Sequence, residues 1–203
     1  RCVSVSGFFM QQNASNAYVW NMRFQNAKAD AIQAKVYTAT QKHFIQSSGI
    51  YTTKAAKDLW YENLYEGIDL KFYDNRKGQL EYDFHLIPHA NAAVIRLQFE
   101  GIDKCYIDKN TGELVLQTAI GEVKQSSPLS YQTINGQRKI IQSAYQQYPD
   151  GSIGFKLGAY DKDCPLVIDP ILLEWGTALY EGSTHDLEKM QDTDFVYTGQ
   201  STT

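Results

Sequence analysis

From residue 79 to residue 87 the chain alternates without a break. Leu80, Tyr82, Phe84 and Leu86 fall on one side of an extended backbone, and Gln79, Glu81, Asp83 and His85 on the other. Successive side chains of a strand point to opposite faces, so this pattern predicts a half-buried antiparallel strand, apolar side inward. The same period holds just upstream, where Ile68, Leu70 and Phe72 alternate with Asp69, Lys71 and Tyr73. Between the two runs, Asp74-Asn75-Arg76-Lys77-Gly78 is polar, of hairpin length and contains a glycine. Two strands joined by a tight loop are therefore the firm local expectation.

Turn signals recur at short intervals along the rest of the chain. Residues 94–99 read as a strand ending at Gly101, and residues 105–107 and 114–117 flank the turn Asp108-Lys109-Asn110-Thr111-Gly112. Residues 129–134 lead into Asn135-Gly136, a favoured type I′ pair, with a return strand over residues 139–146. Tyr148-Pro149-Asp150-Gly151 marks a further turn before a strand at residues 153–157. Pro165 and Pro170 fence a short strand that is expected at a sheet edge. Residues 18–24 and 32–37 read as strands, whereas residues 53–64 are left between a short helix and a loop. Strands at this spacing predict an all-β fold, an antiparallel β-sandwich or a twisted meander.

The 203 residues, 43% of them hydrophobic, suffice for one sizeable core. Residues 1–59 are read as an N-terminal β segment of the same domain and residues 60–170 as its core. After Pro170 two apolar strands, residues 172–180 and 195–198, are joined by a polar loop over residues 181–194. A lone strand pair is marginal in water, so residues 171–203 are read as the truncated start of a further β repeat. The chain opens at Arg1 without Met and without a signal-peptide core, which suggests a processed product.

Net charge is -4, and the 19 Lys and Arg are scattered. No basic stripe is available to neutralise phosphates, so nucleic acid is not an expected partner. No apolar run reaches the roughly 18–20 residues of a membrane-spanning helix. Cys2, Cys105 and Cys164 lack zinc-site spacing; Cys105 and Cys164 are left open as one disulfide or as independent thiols.

Candidate chemistry is thin. Glu81 and Asp83 lie two apart on one strand, so both carboxylates share a face, as a glycosidase pair would. A solvated strand face gives the same pattern, and that simpler explanation is preferred. Asp108-Lys109-Asn110-Thr111-Gly112-Glu113 begins like a calcium loop, but Ala119 stands where the bidentate Glu belongs, so a hairpin turn is the better reading. The acidic stretch from Asp186 to Asp194, and Asp161 with Asp163, are further oxygen-rich places. His85 and His89 straddle Pro88, which argues against a shared metal, and His43 and His185 have no partner pattern. Trp20, Trp60, Tyr61, Tyr65, Tyr73 and Trp175 could supply a sugar-stacking platform, although core packing explains most of them. No catalytic, cofactor-binding or metal-binding residue is assigned.

A resemblance adds to this. Trp60-Tyr61-Glu62-Asn63-Leu64-Tyr65-Glu66-Gly67-Ile68-Asp69-Leu70 is similar to a "vYpGIDLvyY" opening, and Gly78-Gln79-Leu80-Glu81-Tyr82-Asp83-Phe84 to a "GqLeYDF" strand. Pro88, Ala90, Ile95, Leu97, Phe99, Glu100 and Gly101 follow a "PgAdpsxIrLxFeG" run, Asn135-Gly136 an "iNGqr" turn. Gly158-Ala159-Tyr160-Asp161 and Pro165-Leu166-Val167-Ile168-Asp169-Pro170 match a closing "gxYDxxxPLVIDP". In this order they resemble the N-terminal domain that precedes SBBP repeats of seven-bladed β-propeller type. Phe195-Val196-Tyr197-Thr198-Gly199 is similar to an "aYvTG" strand of a first blade.

That resemblance implies a large secreted or surface protein of Gram-negative, often gliding, bacteria, frequently exported by the type IX route. It implies no enzymatic activity. The expectation is a non-catalytic structural or interaction module at the exterior of the outer membrane, docking an envelope or secretion-system protein or a propeller. The alternative is a polysaccharide-binding or glycoside-hydrolysing domain centred on Glu81 and Asp83.

Overall fold

The computed structural model describes residues 3–10, 17–35, 37–46, 49–74, 80–119, 121–170, 172–175, 185–190 and 194–199. Side chains are described for residues 20–35, 57–73, 81–119 and 121–170. In chain order the strands are β1 (Val3–Met10), β2 (Ala17–Phe24), β3 (Ala31–Ala34), β4 (Tyr37–Gln46), β5 (Gly49–Ala56), β6 (Asp58–Tyr65) and β7 (Ile68–Asp74). After them come β8 (Leu80–Leu86), β9 (Leu97–Glu100), β10 (Lys104–Ile107), β11 (Leu114–Thr118), β12 (Gly121–Gln125), β13 (Leu129–Ile134) and β14 (Gln137–Ile141). The last are β15 (Ser143–Gln147), β16 (Ile153–Leu157), β17 (Leu166–Asp169), β18 (Leu172–Trp175), β19 (His185–Met190) and β20 (Asp194–Gly199). A single 3-10 turn, Ala92–Val94, is the only helical piece among the described residues.

The fold is all-β and antiparallel. One sheet runs β1-β2-β9-β16-β15, and a seven-stranded sheet runs β14-β13-β17-β8-β7-β6-β3. Two four-stranded sheets complete the chain, β10-β11-β12-β18 and β20-β19-β5-β4. The alternation that opened the argument sets the centre of the seven-stranded sheet. β7 and β8 pair in register from Ile68 opposite Leu86 to Asp74 opposite Leu80. The loop expected between them falls on residues 75–79, outside the described residues.

The inward faces of the first two sheets meet in an aromatic core. Phe24 of β2 packs edge-on against Phe72 of β7 at 6.4 Å and against Phe84 of β8 at 6.0 Å. Phe155 of β16 reaches Phe84 from the same side at 5.7 Å. Tilted and edge-to-face contacts of this kind suit the ring quadrupole better than stacked sandwiches. Trp20, Met22 and Phe24 are buried in this cluster, so β2 shares its core with residues 60–170.

Several local expectations are corrected. Residues 53–64 form neither helix nor loop but the end of β5 and all of β6 except Tyr65. The return strand expected over residues 139–146 breaks at Gln142: β14 stays in the seven-stranded sheet while β15 joins the opposite one. The proline-fenced strand β17 is not at an edge. It lies between β13 and β8, because Pro165 and Pro170 stand just outside its paired residues. The segment over residues 181–194 contains strand β19. The strands after Pro170 find the partners that a lone pair was expected to need, β18 on β12, and β19 on β20 and β5.

The Asn135-Gly136 turn has the geometry its sequence requires, with φ of 51° and 77°. Positive φ at both positions is the type I′ signature that twists with its flanking strands. No helix among the described residues is long and apolar enough to cross a membrane.

Candidate functional site on the outer face of the seven-stranded sheet

With Ile68, Leu70, Phe72, Tyr82, Phe84 and Leu86 turned into the core, their neighbours in sequence must face outward. Strand register then decides which of them meet. Trp60 lies opposite Lys71, Lys71 opposite Asp83, Asp58 opposite Tyr73 and Tyr73 opposite Glu81. On the other side of β8, Ile168 pairs with Phe84. The next residue, Asp169, therefore comes beside Asp83. Tyr131 of β13 pairs with Val167, and Ile140 of β14 with Tyr131.

The result is a cluster of carboxyl groups. Asp83 is 7% exposed, so it is not the solvated strand residue that alternation suggested. The Tyr73 hydroxyl donates to Asp83 Oδ1 at 3.1 Å, and His85 Nε2 stands 3.7 Å from Asp83 Oδ2, beyond hydrogen-bond length. Asp169 stands beside Asp83 across the β8–β17 seam, and its Oδ1 is buried with no hydrogen-bond partner among the described residues. Burial, then the charges of Asp83 and Glu81, push the Asp169 carboxyl up to about 7, with Arg138 opposing. Tyr73 is driven far above the usual phenol range by burial first and by Asp83, Asp169 and Glu81 next. Its proton is therefore permanent and available to Asp83.

Cations cover the aromatic rings of this face. Lys35 Nζ sits 4.3 Å and Lys71 Nζ 5.6 Å from the Trp60 ring centre. His85 packs on the same indole at 4.8 Å. Lys71 also lies 4.6 Å over Tyr73, and the Arg138 guanidinium 3.7 Å over Tyr131. Asp58 accepts from Trp60 Nε1 at 3.3 Å. Cation–π contacts of this kind add a modest attraction between the Lys and Arg heads and the rings they cover.

Of the residues singled out from sequence, the structure brings Glu81, Asp83, His85, Trp60 and Tyr73 together. Asp169 was missed. Its signal lay in Val167-Ile168-Asp169, whose alternation matches Phe84-Asp83 once β17 is placed beside β8, and the edge assignment hid that. Tyr61, Tyr65 and Trp20 are core residues. His89 goes elsewhere, to Asp163 at 3.1 Å. The side chains of His43, Trp175, His185, Asp186 and Asp194 lie outside the described residues, as does Cys2.

The calcium-like loop is a turn. Asp108 Oδ1 accepts from the backbone of Asn110 at 2.7 Å and of Thr111 at 3.2 Å, which lowers its pKa. Asp161 Oδ1 likewise accepts from the Asp163 backbone at 2.9 Å. Among the described residues no group of three or more His, Cys, Asp or Glu is placed to hold a metal ion. The open question of a disulfide resolves to free thiols at Cys105 and Cys164. Burial pushes Cys105 up to about 12, so it is unreactive near neutrality.

The family model described as a domain of unknown function, DUF7948, matches residues 7–171. The chain belongs to the DUF7948 family. The DUF7948 match takes in every strand from β2 to β17, and with them Asp83 and Asp169. No curated protein and no solved structure matches the chain.

Proposed function

We propose that this DUF7948 domain is a non-catalytic interaction module of a secreted or cell-surface bacterial protein, and that it takes a partner's strand on the free edge of β14. The observation that carries this is the state of β14. Among the described residues it ends the seven-stranded sheet, with β13 as its one neighbour. Residues 137–140 are all exposed, and Ile140 presents an apolar side chain that is 58% exposed. Unpaired backbone groups beside an exposed apolar residue are a template for strand addition. The partner is an envelope or secretion-system protein at the exterior of a Gram-negative outer membrane, in keeping with the resemblance to domains that precede SBBP repeats and travel by the type IX route.

The carbohydrate reading has one observation in its favour, the gathering of Trp60, Tyr73 and Tyr131 with Glu81, Asp83 and Asp169. Two features weigh against it. Sugars stack on open aromatic faces, and these rings are already covered by Lys35, Lys71 and Arg138. Asp83, one half of the Glu81 and Asp83 pair, is 7% exposed and already accepts from the Tyr73 hydroxyl, which leaves it closed to a substrate.

Substituting Ile140→Asp on the exposed edge tests the proposal. The wild-type chain is expected to retain a defined protein from native envelope extract at fixed stoichiometry. I140D is expected to lose at least tenfold of that capture, with its unfolding midpoint unchanged. Equal capture by both chains, or retention of polysaccharide alone, would refute docking at β14.

A further inference from the structure

We propose that Asp83 and Asp169 form a proton latch between β8 and β17, one proton shared across two adjoining carboxyl groups holding the strands together at the point where the chain leaves the sheet. The argument begins with register. β17 is four residues long and meets β8 through Leu166, Val167 and Ile168. Asp169 is its last residue, followed by Pro170, after which the next strand, β18, belongs to a different sheet. The two carboxyls therefore close the β8–β17 seam at the end where the chain leaves the sheet.

Their surroundings make a shared proton the stable arrangement. Asp83 is almost wholly buried and already accepts from Tyr73. The register that pairs Ile168 with Phe84 sets Asp169 beside Asp83 on the same face, and two adjoining carboxylates there cannot both be charged without strong repulsion. Of the groups that face the pair, Arg138 offsets this only in part. From β8 come Glu81, a further acid, and His85, beyond hydrogen-bond length from Asp83. From β7 come Tyr73 and Lys71, the latter drawn over the Trp60 and Tyr73 rings. From β13 and β14 come Tyr131 and Arg138, the guanidinium stacked on Tyr131. The Tyr82 and Tyr145 hydroxyls, from β8 and β15, are committed to Gln125.

The sign of the resulting pH dependence follows. An ordinary Asp titrates near 3.9 in the unfolded chain, while Asp169 in the folded state titrates at about 7. Between these values the folded state holds the extra proton, so this pair's contribution to stability falls as pH rises from about 4 to about 7. Above that range the loss is complete and the curve is flat. Asp169→Asn supplies a neutral amide that donates to Asp83 at every pH, and should remove the dependence.

The test is a carboxyl-carbon NMR titration of the chain with labelled aspartate, read beside urea unfolding from pH 4.5 to 8. The latch predicts one aspartate, lost from the spectrum in D169N, with a midpoint about three pH units above the ordinary value. It also predicts a wild-type unfolding midpoint that drops across this range while that of D169N does not. If D169N fails to fold, Asp83→Asn serves instead: with its partner neutral, Asp169 should titrate at least one unit lower. An Asp169 midpoint below 5, or parallel pH profiles for wild type and D169N, would overturn the proposal.

Discussion

Phe84→Ala is expected to cost about 3–5 kcal/mol of stability, the range for deleting a buried ring and leaving its cavity. Phe84 is fully buried and makes two of the ring contacts that join the two sheets, to Phe24 on β2 and Phe155 on β16. It also packs edge-on against Tyr82 at 5.9 Å. Domains of this size typically hold only about 5–15 kcal/mol in all. The loss should therefore bring the urea midpoint down by about a fifth or more, with an unchanged slope. A drop of less than 1 kcal/mol would mean that the sheets are held together somewhere other than this aromatic seam.

Gln125→Leu should be nearly as damaging, for a different reason. Gln125 is fully buried on β12, and its Oε1 accepts from the Tyr82 and Tyr145 hydroxyls, each at 3.2 Å. Burial raises both phenols well above their ordinary range, so each O–H persists and needs an acceptor. Removing that acceptor strands two buried donors, at about 1–3 kcal/mol apiece. The triple variant Q125L with Tyr82→Phe and Tyr145→Phe should recover most of the loss, because no donor is left unpaired. A triple variant less stable than Q125L would show that volume, and not hydrogen bonding, dominates at this point.

What could be read from the chain follows the range of the forces involved. The β7–β8 hairpin was legible because period-2 burial is written in consecutive residues. Asn135-Gly136 was legible because few dipeptides accept two positive φ values in succession. The place of β17 was not, since Pro165 and Pro170 suggest an edge, and only pairing with β8 and β13 shows that both prolines lie outside the ladder. The candidate site suffered the same limit. Glu81, Asp83, His85 and Tyr73 were visible as outward residues, yet Asp169 lies 86 positions along from Asp83 and only their adjoining strands bring them together. The capping of Trp60 by Lys35, 25 residues before it, is equally a property of the sheet.

Hydrogen exchange on the intact chain, alone and in solubilised native envelope, tests most directly the claim that this domain docks protein through the β14 edge. The account predicts that backbone amides of residues 137–141 slow at least tenfold in the presence of the envelope fraction, while β7 and β8, already protected, do not change. Unchanged exchange at residues 137–141, with protection appearing instead around Trp60 and Tyr73 when polysaccharide is bound, would contradict it.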